Sequence, residues 1–341
     1  MSEQICLADF APQGAVYDGL VRTLSSGTFV HAYLISGMPG VGKRTLAELM
    51  TRYLLCTGED KPCGMCPSCV QAADGNHPEV ITLRPGMMVN GTPTKSPNTI
   101  RVDEIREVTR ICGEHTYRGG RRIVRIEQAD KMNANAQNAL LKTLEEPIEG
   151  TIFLLITDSP GQFLPTIVSR CRQLKLHAWP DEVVMRVLAT SGVPQARQRQ
   201  ALHVAGGSIG RAKAIVSDEG YWQRRDEVMH DFFALENRSS ILSVSEKWKD
   251  RKTEAEALLD DIEDMTHTLM LVRLGQLPRD AAGDYPASWQ QMAQKAGPDA
   301  FVRLLAAMSE ARRLRMNQVT WQAVAERLLL SLMEERNRWS T

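Results

Sequence analysis

Residues 32–43 read AYLISGMPGVGK and decide the fold of this chain. The first five predict a short buried strand, and a helix is predicted directly afterwards over residues 44–55. Glycines and a lysine stand between strand and helix, an arrangement that lets backbone N–H groups and an ammonium contact nucleotide phosphates. The stretch therefore predicts an α/β fold of the P-loop NTPase type.

The sequence around this stretch continues the alternation of strands and helices. Further strands are predicted over residues 123–126 and 152–156, and further helices over 15–26, 102–112 and 135–145. The prolines and glycines of residues 82–99 predict an exposed loop. Strands that alternate with helices indicate a parallel sheet.

Strand signals stop after Trp179 and Pro180, and the remaining pattern is helical. Gly206 and Gly207 predict a break between two short helices, whereas apolar stripes at helical spacing run through the last hundred residues. We expect three domains: an α/β core over residues 1–178, a small helical domain over 179–218 and an all-α domain over 219–341.

The nucleotide site lacks groups that hydrolysis requires. A P-loop needs a hydroxyl directly after its lysine to bind Mg²⁺, but Arg44 takes that position and Thr45 lies about 100° further around the helix. The strand at 123–126 should end in catalytic carboxylates, yet Glu127 is followed by Gln128, which cannot act as a base. We therefore expect no hydrolysis. The candidate nucleotide-binding residues are Gly37, Gly40, Gly42, Lys43, Arg44, Thr45 and Glu127.

Binding of ATP or ADP stays open at this stage, because the glycines and the lysine are retained. The alternative is a loop that keeps its glycines only because the junction between strand and helix needs them.

Four cysteines within fourteen residues predict a metal site. They are Cys56, Cys63, Cys66 and Cys69. Four thiolates form the closed tetrahedral set of a structural zinc site, which stabilises its own segment and leaves no position for a reacting water. An iron–sulfur cluster or a chance grouping of free thiols is the alternative. We expect structural Zn²⁺ in a small module at residues 56–69.

Composition gives weaker guidance. The 341 residues include 41 Lys and Arg against 41 Asp and Glu, so net charge names no nucleic-acid partner. We find no leader-like segment after Met1 and no apolar run of membrane-spanning length, and we expect a cytoplasmic protein without a membrane partner.

Two further motifs point to a family. Residues 137–147 read QNALLKTLEEP, and residues 164–171 read LPTIVSRC. Together with the zinc module just after the P-loop helix, these motifs resemble the bacterial clamp-loader subunits, which are AAA+ proteins. The resemblance covers nearly the whole chain. It implies an AAA+ core with a zinc-module insert, a helical lid and an all-α C-terminal collar that holds five subunits in a ring.

The resemblance also implies a role for one arginine. In this family the arginine of the Ser-Arg-Cys motif reaches the ATP of an adjacent subunit, so Arg170, flanked by Ser169 and Cys171, would act in trans. A guanidinium offers several donors to phosphate oxygens, which suits that role. An isolated arginine would more commonly be a solvated ion-pair partner.

Arg44, Glu127 and Gln128 favour a non-hydrolysing subunit over the family's motor subunit, gamma or tau. The resemblance then implies assembly with gamma or tau and with delta, and action on the sliding clamp and primed DNA through that complex. Two alternatives remain. The chain could be a working ATPase rescued by Thr45 and Glu127, or a zinc-dependent DNA-binding protein whose phosphate contacts are Arg118, Arg121, Arg122 and Arg125.

Overall fold

The computed structural model describes residues 5–89, 91–94, 96–114, 120–276, 286–297, 299–317 and 319–339. The chain divides into two compact units. The first comprises Met1–Thr190 with Ala205–Lys213, and the second comprises Ser191–Val204 with Ala214–Thr341. Neither unit has the bounds of the predicted domain over residues 179–218 or of the one over 219–341, so both domains stay predictions.

A five-stranded parallel sheet forms the centre of the first unit. Its strands are β1 (Ala32–Ser36), β2 (Val80–Leu83), β3 (Arg122–Ile126), β4 (Thr151–Thr157) and β5 (Arg172–Lys175). They lie in the order β2-β3-β4-β1-β5, and every neighbouring pair is parallel. The parallel α/β fold predicted from the sequence is confirmed.

Two strands were not predicted, β2 and β5. The expectation that residues 82–99 are entirely loop is wrong at its start, because Thr82 and Leu83 belong to β2. Each of these strands has four residues and lies at an edge of the sheet. The three central strands are buried at every position and therefore carry the apolar runs that the sequence shows.

Among the described residues, seven α-helices lie between residues 15 and 188, in the same part of the chain as the five strands. They are α1 (Ala15–Ser26), α2 (Lys43–Leu55), α3 (Pro67–Ala73), α4 (Val102–Cys112), α5 (Ala134–Glu145), α6 (Pro165–Arg170) and α7 (Asp181–Leu188). A 3₁₀ segment, Leu7–Gln13, precedes α1. Leu34, Val124 and Leu155 of the sheet form one hydrophobic core with Ile105 of α4 and Leu140 of α5. Burial of such side chains supplies most of the stability of this layer.

The rest of the described chain is helical. Its helices are α8 (Gln195–Ala205), α9 (Ile209–Ser217), α10 (Tyr221–Ala234), α11 (Arg238–Lys249), α12 (Ala255–Arg273), α13 (Ala287–Gln294), α14 (Ala300–Met316) and α15 (Trp321–Trp339). The core of the second unit contains the predicted stripe on α12, for example Leu258 and Ile262, and the stripe on α15, for example Trp321 and Leu328. None of the described helices is long and apolar enough to span a membrane.

Candidate functional site

The candidate site gathers at the carboxyl edge of the sheet, where parallel strands of an α/β fold present their loops. The loop after β1 turns through three glycines with positive φ: Gly37 (150°), Gly40 (72°) and Gly42 (100°). At Gly40 a Cβ would lie 2.9 Å from the backbone nitrogen of Arg211 and would also collide with Ser208 Oγ. Glycine is required there both by conformation and by close packing.

Lys43 directs its ammonium into its own loop. Its Nζ donates to the carbonyl oxygens of Gly37 at 2.8 Å and Met38 at 2.7 Å, and it lies 2.5 Å from Asp158 Oδ1. The lysine is 7% exposed. Two of the three N–H donors of the ammonium bond to these carbonyls, and its charge is paired with Asp158, so a phosphate would have to displace some of these contacts.

Other parts of the first unit form hydrogen bonds with the loop between β1 and α2 and hold it in place. Ser208 Oγ donates to the Pro39 carbonyl at 2.8 Å, and the Gly210 amide donates to the Gly40 carbonyl at 2.8 Å. The indole N–H of Trp179 donates to the Val41 carbonyl at 2.8 Å. The loop is therefore held by residues far away along the chain.

An aromatic pair covers the start of the P-loop helix. Phe10, from the 3₁₀ segment, meets the Trp179 ring edge-on with centroids 5.3 Å apart. Its ring lies 3.5 Å from the position that a Cβ on Gly42 would take. Both aromatic side chains are buried, so apolar packing adds to the hydrogen bonds that hold the loop.

Arg44 lies where the sequence predicted a defect in metal binding. Its guanidinium contacts Glu127 Oε2 at 2.8 Å, and Arg84 contacts the same oxygen at 3.0 Å. Glu127 is 12% exposed, so two arginines provide the positive charge that a buried carboxylate requires. Gln128 follows with φ 49°, in the left-handed region, and Thr45 is half-buried.

The described arginines in and before β3 do not form a continuous surface that could contact DNA phosphates. Arg122 is buried and pairs with Glu79 at 3.1 Å, and Arg125 is buried and donates to Thr82 Oγ1 at 3.1 Å. Burial lowers the pKa of Arg125. Neither side chain reaches the surface as a phosphate contact, so this pair does not support the DNA-binding alternative. Arg121 lies 4.5 Å from the centre of the Phe29 ring, and Arg118 lies outside the described residues.

The four clustered cysteines come together as the sequence predicted. Their Sγ atoms all lie within 4.8 Å of one another, and Cys56 and Cys66 are 4.0 Å apart. A tetrahedral zinc site with Zn–S bonds of about 2.3 Å places sulfurs about 3.8 Å apart. The set can therefore hold a metal ion, and a four-thiolate set with this spacing fits zinc.

Local backbone geometry prepares these sulfurs as ligands. The amides of Cys66 and Cys69 donate to the sulfurs of Cys63 and Cys66 at 3.3 and 3.4 Å. The backbone N–H groups of Cys66 and Met65 lower the pKa of Cys63. Burial opposes ionisation of Cys66, but hydrogen bonds, first that of the Thr57 backbone, outweigh burial and lower its pKa to about 5.

Cys69 differs from these two cysteines, because burial raises the pKa of its thiol to about 12. A metal cation would favour its thiolate, which is the form that binds metals. Cys56 directly follows α2, Cys63 lies between the two helices, Cys66 is the N-cap of α3, and Cys69 lies in the first turn of α3. Because α2 and α3 pack together, the fold itself brings the four sulfurs into one cluster.

Arg170 ends α6 and presents its guanidinium at the surface. The side chain is 36% exposed; Nη1 donates to the Thr166 carbonyl at 3.0 Å, and Nη2 lies 2.8 Å from Glu145 Oε1. Ser169 also donates to the Thr166 carbonyl, at 3.1 Å. Cys171 is buried, which raises the pKa of its thiol to about 12 and leaves it an apolar anchor for the end of the helix.

Sequence reasoning missed several residues that shape these sites. Asp158 directly follows β4, so its place at the carboxyl edge of the sheet could have been predicted from the sequence. Ser208, Trp179 and Glu145 gave no such signal, because each acts on a partner that is remote in sequence or on another helix.

Sequence comparisons with known proteins find subunits of DNA polymerase III. A family model described as "DNA polymerase III, delta subunit" matches residues 12–180. DNA polymerase III subunit delta' of Escherichia coli (strain K12) is 37% identical over 213 residues, which are 62% of this chain and 61% of that subunit. The subunit delta' of Haemophilus influenzae is 30% identical over 232 residues, 67% of this chain and 68% of the other.

The chain thus spans less than two thirds of the E. coli delta' subunit's length. A related subunit also matches. DNA polymerase III subunit tau of E. coli is 29% identical over 294 residues, which are 78% of this chain and 44% of tau.

Proposed function

The chain belongs to the family of DNA polymerase III subunit delta', and from that premise we propose that it is a non-hydrolysing clamp-loader subunit. It presents Arg170 to ATP bound by a neighbouring motor subunit. The proposal includes an AAA+ core, a lid over residues 179–218, a collar over 219–341 and a cytoplasmic location.

One contrast between two sites carries the proposal. In the chain's own phosphate loop the Lys43 ammonium is held by two loop carbonyls and by Asp158, whereas the guanidinium of Arg170 stands at the surface. A subunit arranged in this way is suited to assist phosphoryl transfer on another chain rather than to perform it. An arginine supplied in trans stabilises the charge that develops during transfer, an effect on the order of 10³-fold or more.

The partners follow from the family. We propose assembly with tau or gamma and with delta in a five-subunit ring, which loads the sliding clamp onto primed DNA. Arginine supplied across an interface makes hydrolysis depend on correct assembly, because the neighbour's site is incomplete without it.

The cysteine cluster is proposed to hold one structural zinc ion through Cys56, Cys63, Cys66 and Cys69. Bound zinc would fix the thiolates and the segment that carries them, and it would leave no coordination position for a substrate. The N–H···S hydrogen bonds on Cys63 and Cys66 support the assignment, because they orient sulfur ligands before metal arrives.

A working ATPase is the second candidate, and the similarity to tau favours it. In that case Thr45 and Glu127 would have to bind Mg²⁺, although Arg44 and Arg84 already contact the Oε2 atom of Glu127. Nucleotide binding would also require that Lys43 leave Asp158.

Steady-state ATP turnover by the purified chain with Mg²⁺ separates the two candidates. We expect no turnover above the buffer blank, and no change on Lys43→Ala. Turnover by the isolated chain that disappears in Lys43→Ala would establish an intrinsic ATPase and would reject the proposal.

A further inference from the structure

We propose that Glu145 is a positioning residue for Arg170: it holds the guanidinium in the orientation that meets the neighbour's nucleotide. This inference rests on the proposed function of Arg170. The two residues lie on different helices, Glu145 at the end of α5 and Arg170 at the end of α6, and their charged atoms are 2.8 Å apart.

The contacts on Arg170 leave part of its guanidinium available. Glu145 Oε1 forms an ion pair with Nη2 at 2.8 Å, and the Thr166 carbonyl accepts a hydrogen bond from Nη1. A guanidinium has five N–H donors, so these two contacts restrain the group from one side while other donors can reach phosphate oxygens. Arg170 is 36% exposed, in keeping with a group held from one side.

The rest of α5 supports the same geometry. Gln137, near the start of this helix, is buried; its Oε1 accepts from the Leu164 amide at 2.8 Å and its Nε2 donates to the Gln162 carbonyl at 3.1 Å. Leu164 directly precedes α6. Helix α5 therefore fixes the start of α6 through Gln137 and the side chain at its end through Glu145.

The half-exposed ion pair between Glu145 and Arg170 should affect turnover more than folding stability. Glu145 is 44% exposed, so the pair contributes little to folding stability. An arginine that is already oriented, however, loses less rotational freedom when it docks on a nucleotide. The gain should therefore be in turnover rather than in folding stability.

The test compares variants of the chain in an assembly reconstituted with tau or gamma, delta, clamp and primed DNA. We expect Glu145→Ala to lower the maximal ATP turnover at the site served by Arg170 by about three- to tenfold, the typical value of one immobilised side chain. The concentration of chain that gives half-maximal turnover, and the melting temperature of the isolated chain, should stay near wild type. Glu145→Gln keeps an acceptor oxygen and should recover part of the loss.

A double variant gives the decisive comparison. If Glu145 acts through Arg170, Glu145→Ala adds no further loss in an Arg170→Ala background. Glu146→Ala is the matched control, because Glu146 is the exposed neighbour and its carboxylate has no ion-pair partner among the described residues.

Each remaining outcome has one meaning. If Arg170→Ala itself leaves turnover unchanged, the proposed function fails. If Arg170→Ala lowers turnover but Glu145→Ala does not, or raises it, only the positioning role is overturned. An equal loss from Glu145→Ala with and without Arg170 would also overturn it.

Discussion

At the scale of single residues, Arg44 determines the chemistry of the phosphate loop. Its guanidinium lies 2.8 Å from Glu127, in the position where a hydroxyl and a metal ion would be needed for hydrolysis. The sequence alone predicts this defect, because the requirement belongs to a single position after the lysine. It could not reveal that Arg84 shares the carboxylate or that Asp158 holds Lys43, since those partners come from other strands.

Replacing Arg44 by threonine should restore the missing hydroxyl without restoring activity. We expect no ATP turnover from Arg44→Thr in the isolated chain, because Gln128 still cannot act as a base and Lys43 keeps its contacts with the loop carbonyls and Asp158. The free energy of unfolding should fall by about 1 kcal/mol, since Glu127 keeps Arg84.

Urea unfolding of Arg44→Thr, Arg84→Ala and the double variant measures the second effect. The double variant should lose more than the sum of the single variants, because it removes both arginines that contact the largely buried carboxylate of Glu127. Strict additivity would contradict shared neutralisation of Glu127.

At the scale of elements, the proposed zinc module should depend on its ligands more than on its own helix. Helix α3 has seven residues, which is too short for an isolated helix to be stable in water. Cysteine spacing predicted the cluster because all four ligands lie within one short segment. The hydrogen bonds that lower the pKa of Cys63 and Cys66 depend on backbone conformation, and spacing could not indicate them.

Cys66→Ser should abolish tight zinc binding and loosen the module. We expect one zinc ion per wild-type chain by elemental analysis and markedly less in the variant. Amide hydrogen exchange should accelerate across residues 56–73 while β1 and β4 remain protected, because the module is an insert between core elements. Cys6→Ser, at an exposed cysteine outside the cluster, is the control. Unchanged exchange after zinc removal would contradict a structural role.

Helices α10 and α12 pack around the carboxylate of Asp261, and burial of its charge lowers the stability of the folded chain. Asp261 is 2% exposed and lies 3.3 Å from Arg224, and its burial raises its pKa from 3.8 to about 6. The folded chain then binds more protons at this group than the unfolded chain between about pH 4 and pH 6. The contribution of Asp261 to stability therefore falls as pH rises through that window.

Asp261→Asn should remove this dependence on pH. Relative to wild type, the free energy of unfolding of the variant should improve from pH 4 to pH 7, by at most about 3 kcal/mol. Arg224 keeps Asp218 at 2.6 Å, so the substitution does not isolate its charge. Thermal unfolding across this pH range is the measurement. A difference that stays constant or falls with pH would contradict the raised pKa.

At the scale of the whole molecule, the sequence predicted what is central in the fold and missed what is peripheral. The three central strands were predicted because burial on both faces gives them apolar runs. Edge strand β5 (RQLK) has a single fully buried side chain, and β2 lies next to a segment rich in proline. The closure of the P-loop by Ser208 and Trp179 joins residues about 140 to 170 positions apart, and no local pattern encodes such a contact.

The central claim is that this chain activates ATP hydrolysis on a neighbour and performs none itself. The most direct measurement is ATP turnover of the reconstituted assembly, with clamp and primed DNA, for wild type, Arg170→Ala and Lys43→Ala. We predict that Arg170→Ala lowers turnover at the neighbouring site that it serves by a factor on the order of 10³. Lys43→Ala should leave the turnover of the assembly unchanged. Turnover that survives Arg170→Ala but falls with Lys43→Ala would contradict the account.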